Sequence, residues 1–276
     1  TFTSGIFRTW LGMGDLTGAL RLSGILMLLI FSLLIFEKKL RSRSKYHEIL
    51  NSKPSSEKKL LNKNKSIIAI CCCSIPLVLG FFIPVSRMIS WAWISRKSVS
   101  DYVSIELIVN SLGLATISSV SIVLIGIFLV FSARYYKSAI TYFSNRLAIL
   151  GYSIPGAVIA IGILLFVAQV NHLTNYVLTG SLYLLIFAYI VRYLAVAWQP
   201  INAGIESNCD SLNHASQTLG SSAYTSLTRV NLPLIKDTII TAGLLVFIDT
   251  VKELPLTLIL RPFNFETLST ATFDLS

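Results

Sequence analysis

Asp249, Lys252, Glu253 and Pro255 can do chemistry that their surroundings cannot, because they interrupt an otherwise apolar run from Thr238 to Leu260. A run of that length crosses a hydrocarbon core of about 30 Å. A charge at the centre of a membrane helix costs about 2.5–3.5 kcal/mol on insertion scales, so these side chains should avoid lipid. On a helix, Asp249 and Lys252 stand three residues apart and pair, whereas Asp249 and Glu253, four apart, repel if both are ionised. Pro255 cannot donate to the Val251 carbonyl and crowds it, which predicts a kink there. Two readings stay open. One is a gate or pathway element carrying one positive and two negative charges, net −1. The other is a structural ion-pair cluster that holds helices together, with Arg192 as a further partner. Metal coordination by Asp249 and Glu253 would lack a third ligand, so the metal assignment is left unknown.

A second constellation lies upstream, where Ala215, Gly220, Leu232 and Pro233 stand at the spacing A-x4-G-x11-L-P. Ser211 to Leu219 has helical apolar spacing at Leu212, Ala215 and Leu219, with Asp210 or Ser211 as N-cap. Gly220 falls where that helix should stop, since glycine accepts the left-handed backbone. Ser221 to Val230 can form a second short helix with Ala223, Leu227 and Val230 on one face. Asn231 is the expected cap of the next helix, and Pro233 is tolerated in its first turn. Small Ala215 and Ser216 leave room for another surface to approach, as when a helix sits in a groove. A hairpin that binds nothing is the plainer alternative.

The elements that must position these residues are membrane helices. The chain is 54% hydrophobic and only 13% charged, far less charge than a water-soluble domain of 276 residues needs. Six spans are expected, over residues 18–36, 66–85, 107–131, 147–168, 177–197 and 238–260. The segment from Glu37 to Lys65 is dense in Lys and Arg and rich in Ser and Asn, which predicts a solvated cytoplasmic linker. Residues 132–146 and 198–237 then share that side. Trp10, Trp91, Trp93 and Trp198 fall near span ends, as interfacial aromatics do.

The net charge of +10 follows from this loop bias, and no basic patch interleaved with aromatics points to nucleic acid. Cys71, Cys72 and Cys73 point in different directions around a helix, Cys209 stands apart, and no C-x2-C spacing occurs. His47, His172 and His214 are far apart and read as solvated residues. No G-x4-G-K-[ST] loop, H-E-x2-H pair or nucleophile motif is present, so neither an ATPase nor another enzyme is expected, and no cofactor. A faint repeat relates Thr1–Phe7 to Thr267–Phe273. With no initiator Met, it predicts a piece of a longer two-half protein.

The loop resembles the "EAA" loop of binding-protein-dependent ABC importer permeases, whose pattern is E-A-A-x3-G-x9-I-x-L-P. His214, Ala215, Ser216, Gly220, Val230, Leu232 and Pro233 stand at those positions. Ala215, Gly220, Leu232 and Pro233 match, Val230 is conservative, His214 replaces the acid and Ser216 replaces the second alanine. The stretch KELPLTLILRPFNFETL from Lys252, the GYSIPG at Gly151–Gly156 and the opening TFTSGIFRTWLGMGDL resemble the ferric-iron subgroup of these permeases.

The resemblance implies an all-α polytopic membrane protein, a type I importer (MetI-like) helical bundle with cytoplasmic coupling helices, in a bacterial inner membrane. It implies import of Fe3+ by alternating access. The implied partners are a cytoplasmic ATP-binding dimer, which hydrolyses the ATP, and a periplasmic iron-binding protein. It also implies that 1–36 is the last span of a first half, 37–65 a basic linker, and 66–276 a second half with five of its spans. The competing readings are the same machine with another cargo (thiamine, sulfate, phosphate or a polyamine), a passive channel or scaffold, and a non-functional gene fragment.

Overall fold

The computed structural model describes residues 5–6, 8–43, 62–100, 104–135, 138–174, 178–208, 216, 218 and 220–275. Among them every regular element is helical, in two units: residues 1–37 with 106–276, and residues 38–105.

In the smaller unit, α2 (Lys63–Leu77) runs through a π-helical turn at Val78–Phe82 into α3 (Ile83–Ser100). Pro84 explains the wide turn. It has no N–H for the Gly80 carbonyl and would crowd it, so the residue before it, Ile83, donates instead to Val78, five residues back. The apolar stretch Asn64–Ile94 is 31 residues long with mean hydropathy 2.5. None of its side chains is buried within the chain, and Cys71, Cys72 and Cys73 are exposed on it.

The larger unit holds the core. Its first long helix, α1 (Leu16–Arg43), starts at Asp15, whose Oδ1 accepts the Gly18 N–H at 2.9 Å. Ile6, Ala19, Ala157 and Ile161 are buried together beside it. In α4 (Ile105–Tyr135) the buried positions Leu107, Ser111, Leu114, Ser118, Ile122, Gly126 and Val130 recur every three or four residues, one face of a helix. That face meets α7 (Leu182–Asn208) and α10 (Lys236–Val251) through small residues. A Cβ on Gly126 would lie 3.5 Å from Ala197, and the Ser119 hydroxyl donates to the Gly243 carbonyl at 2.7 Å. Between membrane helices, small side chains and such bonds replace the hydrophobic drive that water supplies elsewhere.

Three expected boundaries are corrected. Residues 132–146 are not one loop, and the fourth span does not begin at Leu147. A separate helix, α5 (Ala139–Leu150), is closed at its start by reciprocal bonds between Ser138 and Thr141. A 3-10 turn at Gly151–Ser153 follows, and α6 (Gly156–Thr174) begins only afterwards. Pro155 sets that restart, because it disfavours helix at the preceding residue and Ile154 is extended, φ −91° and ψ 132°. The fifth span runs on past Ala197 to Asn208, and Pro200 does not end it.

Past residue 216 come α8 (Ala223–Ser226), a second π-helical turn at Leu227–Asn231, α9 (Leu232–Leu234), α10, α11 (Pro255–Leu260) and α12 (Leu268–Asp274). Five stretches are long and apolar enough to cross a membrane among the described residues. The expected sixth is divided between α10 and α11.

At the crossing of α7 and α10, a Cβ on Gly204 would sit 3.0 Å from the Thr238 side chain. Gly204→Leu should therefore force the helices apart and cost about 1–3 kcal/mol. Thermal unfolding in detergent checks this, with Gly162→Ala, where a Cβ meets open space, expected to unfold no earlier than the parent.

Candidate functional site

Two places carry the residues singled out in the sequence. At the first, Gly220 adopts φ +81°, and the Ser221 N–H reaches back to the Ser216 carbonyl at 3.0 Å. This 6→1 bond about a left-handed glycine is the Schellman way of ending a helix. Ser216 is buried, and its hydroxyl lies 2.9 Å from that of fully buried Ser226. The serine that stands where the resembled pattern has alanine thus ties one arm of the hairpin to the other. Ser222 starts the second arm by accepting the Thr225 N–H at 3.3 Å.

The expected cap at Asn231 is corrected. Asn231 has helical dihedrals, φ −73° and ψ −51°, and its side chain makes no capping bond. The chain passes through it because Leu232 donates to the Leu227 carbonyl, five residues back. Pro233 follows at once, as Pro84 follows the other wide turn. Leu232 packs against the main core, and Val230 is half-buried. The break in direction comes at Ile235, φ −102° and ψ 13°, where α10 begins. His214 and Ala215 lie outside the described residues, as do Asp210, Ser211, Cys209 and His47.

The second place is the break between α10 and α11. Helix α10 ends at Val251 after 16 residues, about 24 Å at 1.5 Å per residue. The Lys252 N–H still bonds to the Ile248 carbonyl at 3.3 Å and the Glu253 N–H to Thr250 at 3.2 Å. Pro255 then opens α11, as the kink expected there requires. The break sends the two acids apart. Asp249 Oδ1 meets Lys252 Nζ at 2.7 Å, while Glu253 turns into the bundle and is only 6% exposed.

Glu253 is satisfied from several directions. Arg192 Nε lies 3.4 Å from Oε2, an ion pair without hydrogen-bond alignment. The Tyr193 hydroxyl lies 2.5 Å from the same oxygen and 3.2 Å from the Asp249 carbonyl. Oε1 accepts the Leu256 N–H at 3.3 Å, so the side chain serves an orphan donor of the first turn of α11. The Glu253 carbonyl accepts from Thr257 at 2.7 Å and from Ser269 of α12 at 3.1 Å. Arg192 is held in turn by the Ile154 carbonyl, 2.8 Å from Nη1. With Arg192 included, two positive and two negative charges balance, so the net −1 expected for three of them becomes zero.

The GYSIPG turn completes this arrangement. A Cβ on Gly156 would collide with Glu253 Oε1 and come within 3.1 Å of the Arg192 guanidinium. A Cβ on Gly151 would collide with the Val191 carbonyl. Both glycines are therefore required by close approach to α7 and to the acid. Tyr193, Tyr189 (2.6 Å from the Thr257 hydroxyl) and Ser269 were not singled out in the sequence. Only the adjacency of Tyr193 to Arg192 hinted at one of them.

Beyond α11 the chain turns at Pro262–Phe265, with Asn264 at φ +61°. Arg261 braces this turn, 3.8 Å from Glu266 and 3.5 Å from Asp274. Ser111 of α4 accepts the Leu268 N–H at 2.7 Å, and Thr267 caps α12.

Arg192→Met should strand the Glu253 charge and cost about 3–5 kcal/mol, seen as a lower unfolding temperature in detergent. Arg192→Met combined with Glu253→Leu should recover most of that loss; a double variant no better than Arg192→Met alone would mean that the pair is not the source of the stability.

Residues 122–271, more than half of the chain, match the family described as "Binding-protein-dependent transport system inner membrane component". The chain is also 28% identical over 282 aligned residues to the "Fe(3+)-transport system permease protein FbpB 2" of Haemophilus influenzae (strain ATCC 51907 / DSM 11121 / KW20 / Rd). That alignment covers 99% of this chain and 54% of the relative, so the chain spans about half the length of the curated protein it matches. Among the described residues every regular element is helical and five stretches are long and apolar enough to cross a membrane, which fits this match. The protein is thus a multi-pass inner-membrane protein of the binding-protein-dependent transport family, the inner-membrane components of such systems.

Proposed function

We propose that this chain is a transmembrane permease subunit of an ATP-driven ABC importer, moving Fe3+ from a periplasmic binding protein into the cytoplasm by alternating access. The observation that carries the cargo is the similarity to a protein named for Fe(3+) transport, which runs over 99% of the chain. ATP is hydrolysed by a separate cytoplasmic dimer that docks on the hairpin of His214, Ala215, Ser216, Gly220, Val230, Leu232 and Pro233. Two features support the docking role. The hairpin is stiffened by the Ser216–Ser226 contact, and α9 leads through Ile235 directly into α10. A push on the hairpin therefore has a short, helical route to Asp249, Lys252, Glu253 and Pro255, which form the gate. In this reading residues 1–36 close a first half of the permease, 37–65 form a basic cytoplasmic linker, and 66–276 belong to a second half.

Uptake of radiolabelled iron by iron-starved cells with and without the gene tests the cargo. Uptake should fall to background in its absence, and unchanged uptake would reject iron. Gly220→Trp tests the docking. A side chain at φ +81° is strained by about 1–2 kcal/mol, and the indole adds bulk on the exposed turn. Pull-down of the ATP-binding subunit should drop at least tenfold while the amount of folded permease is unchanged; retained binding and uptake would remove the hairpin from the mechanism.

A further inference from the structure

We propose that the cavity between α5 and the ends of α4 and α7 holds the headgroup of a zwitterionic phospholipid, with its primary ammonium on Glu206 and its phosphate on Arg146. The proposal does not depend on the cargo. It assigns a ligand to a place that neither the hairpin at Gly220 nor the break at Glu253 uses.

The cavity measures about 730 Å³, within the range of sites for small molecules. Ala133, Ala139 and Ile149 supply an apolar part of its lining, and Asn145, Trp198 and Asn202 a polar part. Its walls are fastened to each other. The Trp198 Nε1–H of α7 donates to Asn145 Oδ1 of α5 at 2.7 Å, and Asn145 Nδ2 donates to the Thr141 carbonyl at 3.0 Å. These bonds hold the cavity open within the chain's own fold.

Depth follows from helix length. The 27 residues of α7 extend about 40 Å at 1.5 Å per residue, whereas the hydrocarbon core is about 30 Å thick. The last turns of α7 therefore stand among lipid headgroups, on the side that the Lys and Arg bias assigns to the cytoplasm. Trp198 lies where indoles mark that boundary. A cavity at this height, part apolar and part polar, suits the glycerol and headgroup of a phospholipid.

Charge selects the headgroup. Among the described residues Glu206 makes no ion pair; its Oε1 accepts from Asn202 Nδ2 at 2.9 Å, which aligns the carboxylate. The last turn of α7 carries no basic residue, so the negative end of the helix dipole adds to the Glu206 charge. A primary ammonium answers both with a charge and three donors. A trimethylated ammonium brings the charge without a donor. Arg146, on the α5 wall, presents a planar guanidinium whose donors match phosphate oxygens. A headgroup with phosphate and ammonium side by side thus meets a cation and an anion lining one cavity.

The test uses the full-length permease in nanodiscs of defined lipid, followed by native mass spectrometry of the lipid it retains. With acyl chains matched, the parent should retain phosphatidylethanolamine about fivefold over phosphatidylcholine or phosphatidylglycerol, the size expected of a partly exposed ion pair. Glu206→Gln should remove the preference over phosphatidylcholine. Arg146→Gln should lower retention of phosphatidylethanolamine and phosphatidylcholine alike, since both present phosphate. Both side chains are exposed, so the unfolding temperatures of the two variants in lipid-free detergent should match that of the parent. Equal retention of the three lipids by the parent overturns the proposal and leaves the cavity to a polypeptide. A preference for phosphatidylethanolamine that survives Glu206→Gln overturns it as well.

Discussion

A carboxylate buried in a membrane bundle needs a counter-charge and hydrogen-bond donors, because hydrocarbon supplies neither. Glu253 takes them from α7 and α11, and its own carbonyl serves α11 and α12. Satisfying one acid thus fixes how the divided sixth span meets its neighbours. The requirement extends outward to Ile154, whose carbonyl anchors Arg192, and to Gly156, where any side chain would intrude on the pair. Gly156 of GYSIPG is a consequence of the same need for space, while Gly151 is required by the Val191 carbonyl and the late start of α6 by Pro155. Glu253 is therefore the joint of the break, held by α7, α11 and α12, whereas Asp249 turns away from it to pair with the exposed Lys252.

Proline shapes this protein in two ways. At Pro155 and Pro255 it ends one segment and opens the next, which is where the chain changes direction. At Pro84 and Pro233 it leaves the helix continuous but preceded by a π-helical turn. The same physical deficit, a missing donor facing a carbonyl four residues back, is resolved by breaking in one pair and by widening in the other. Where the break occurs at Pro255, polar side chains serve the backbone groups beside it: Glu253 accepts the Leu256 N–H, and Thr257 donates to the Glu253 carbonyl.

Much of this was legible in the sequence. The apolar runs announced the helices, since little else reads that way over 20 or more residues. Pro255 announced the break, and Gly220 the turn, because each has a backbone property no other residue shares. The pairing of Asp249 with Lys252 followed from helical spacing, and Arg192 was named as a partner for the cluster. What stayed hidden was either amphipathic or long-range. The helix α5 is too polar for a span and too short for a strong periodic signal, so it read as loop. The cap expected at Asn231 failed because tertiary burial overrode a local preference: Asn231 is fully buried within a helical path. Tyr193 and Ser269 reach Glu253 across 60 and 16 residues, distances at which spacing carries no information.

The two widened turns also act as phase shifters. Each inserts extra arc into an otherwise regular screw, so the azimuth of every side chain downstream depends on how many residues the turn contains. At about 100° per residue, losing one position between Gly220 and Pro233 would swing the face that α10 presents by more than a quarter of a circle. For this chain, then, which way the acid at 249 looks is set as much by a count of residues far below it as by any contact it makes.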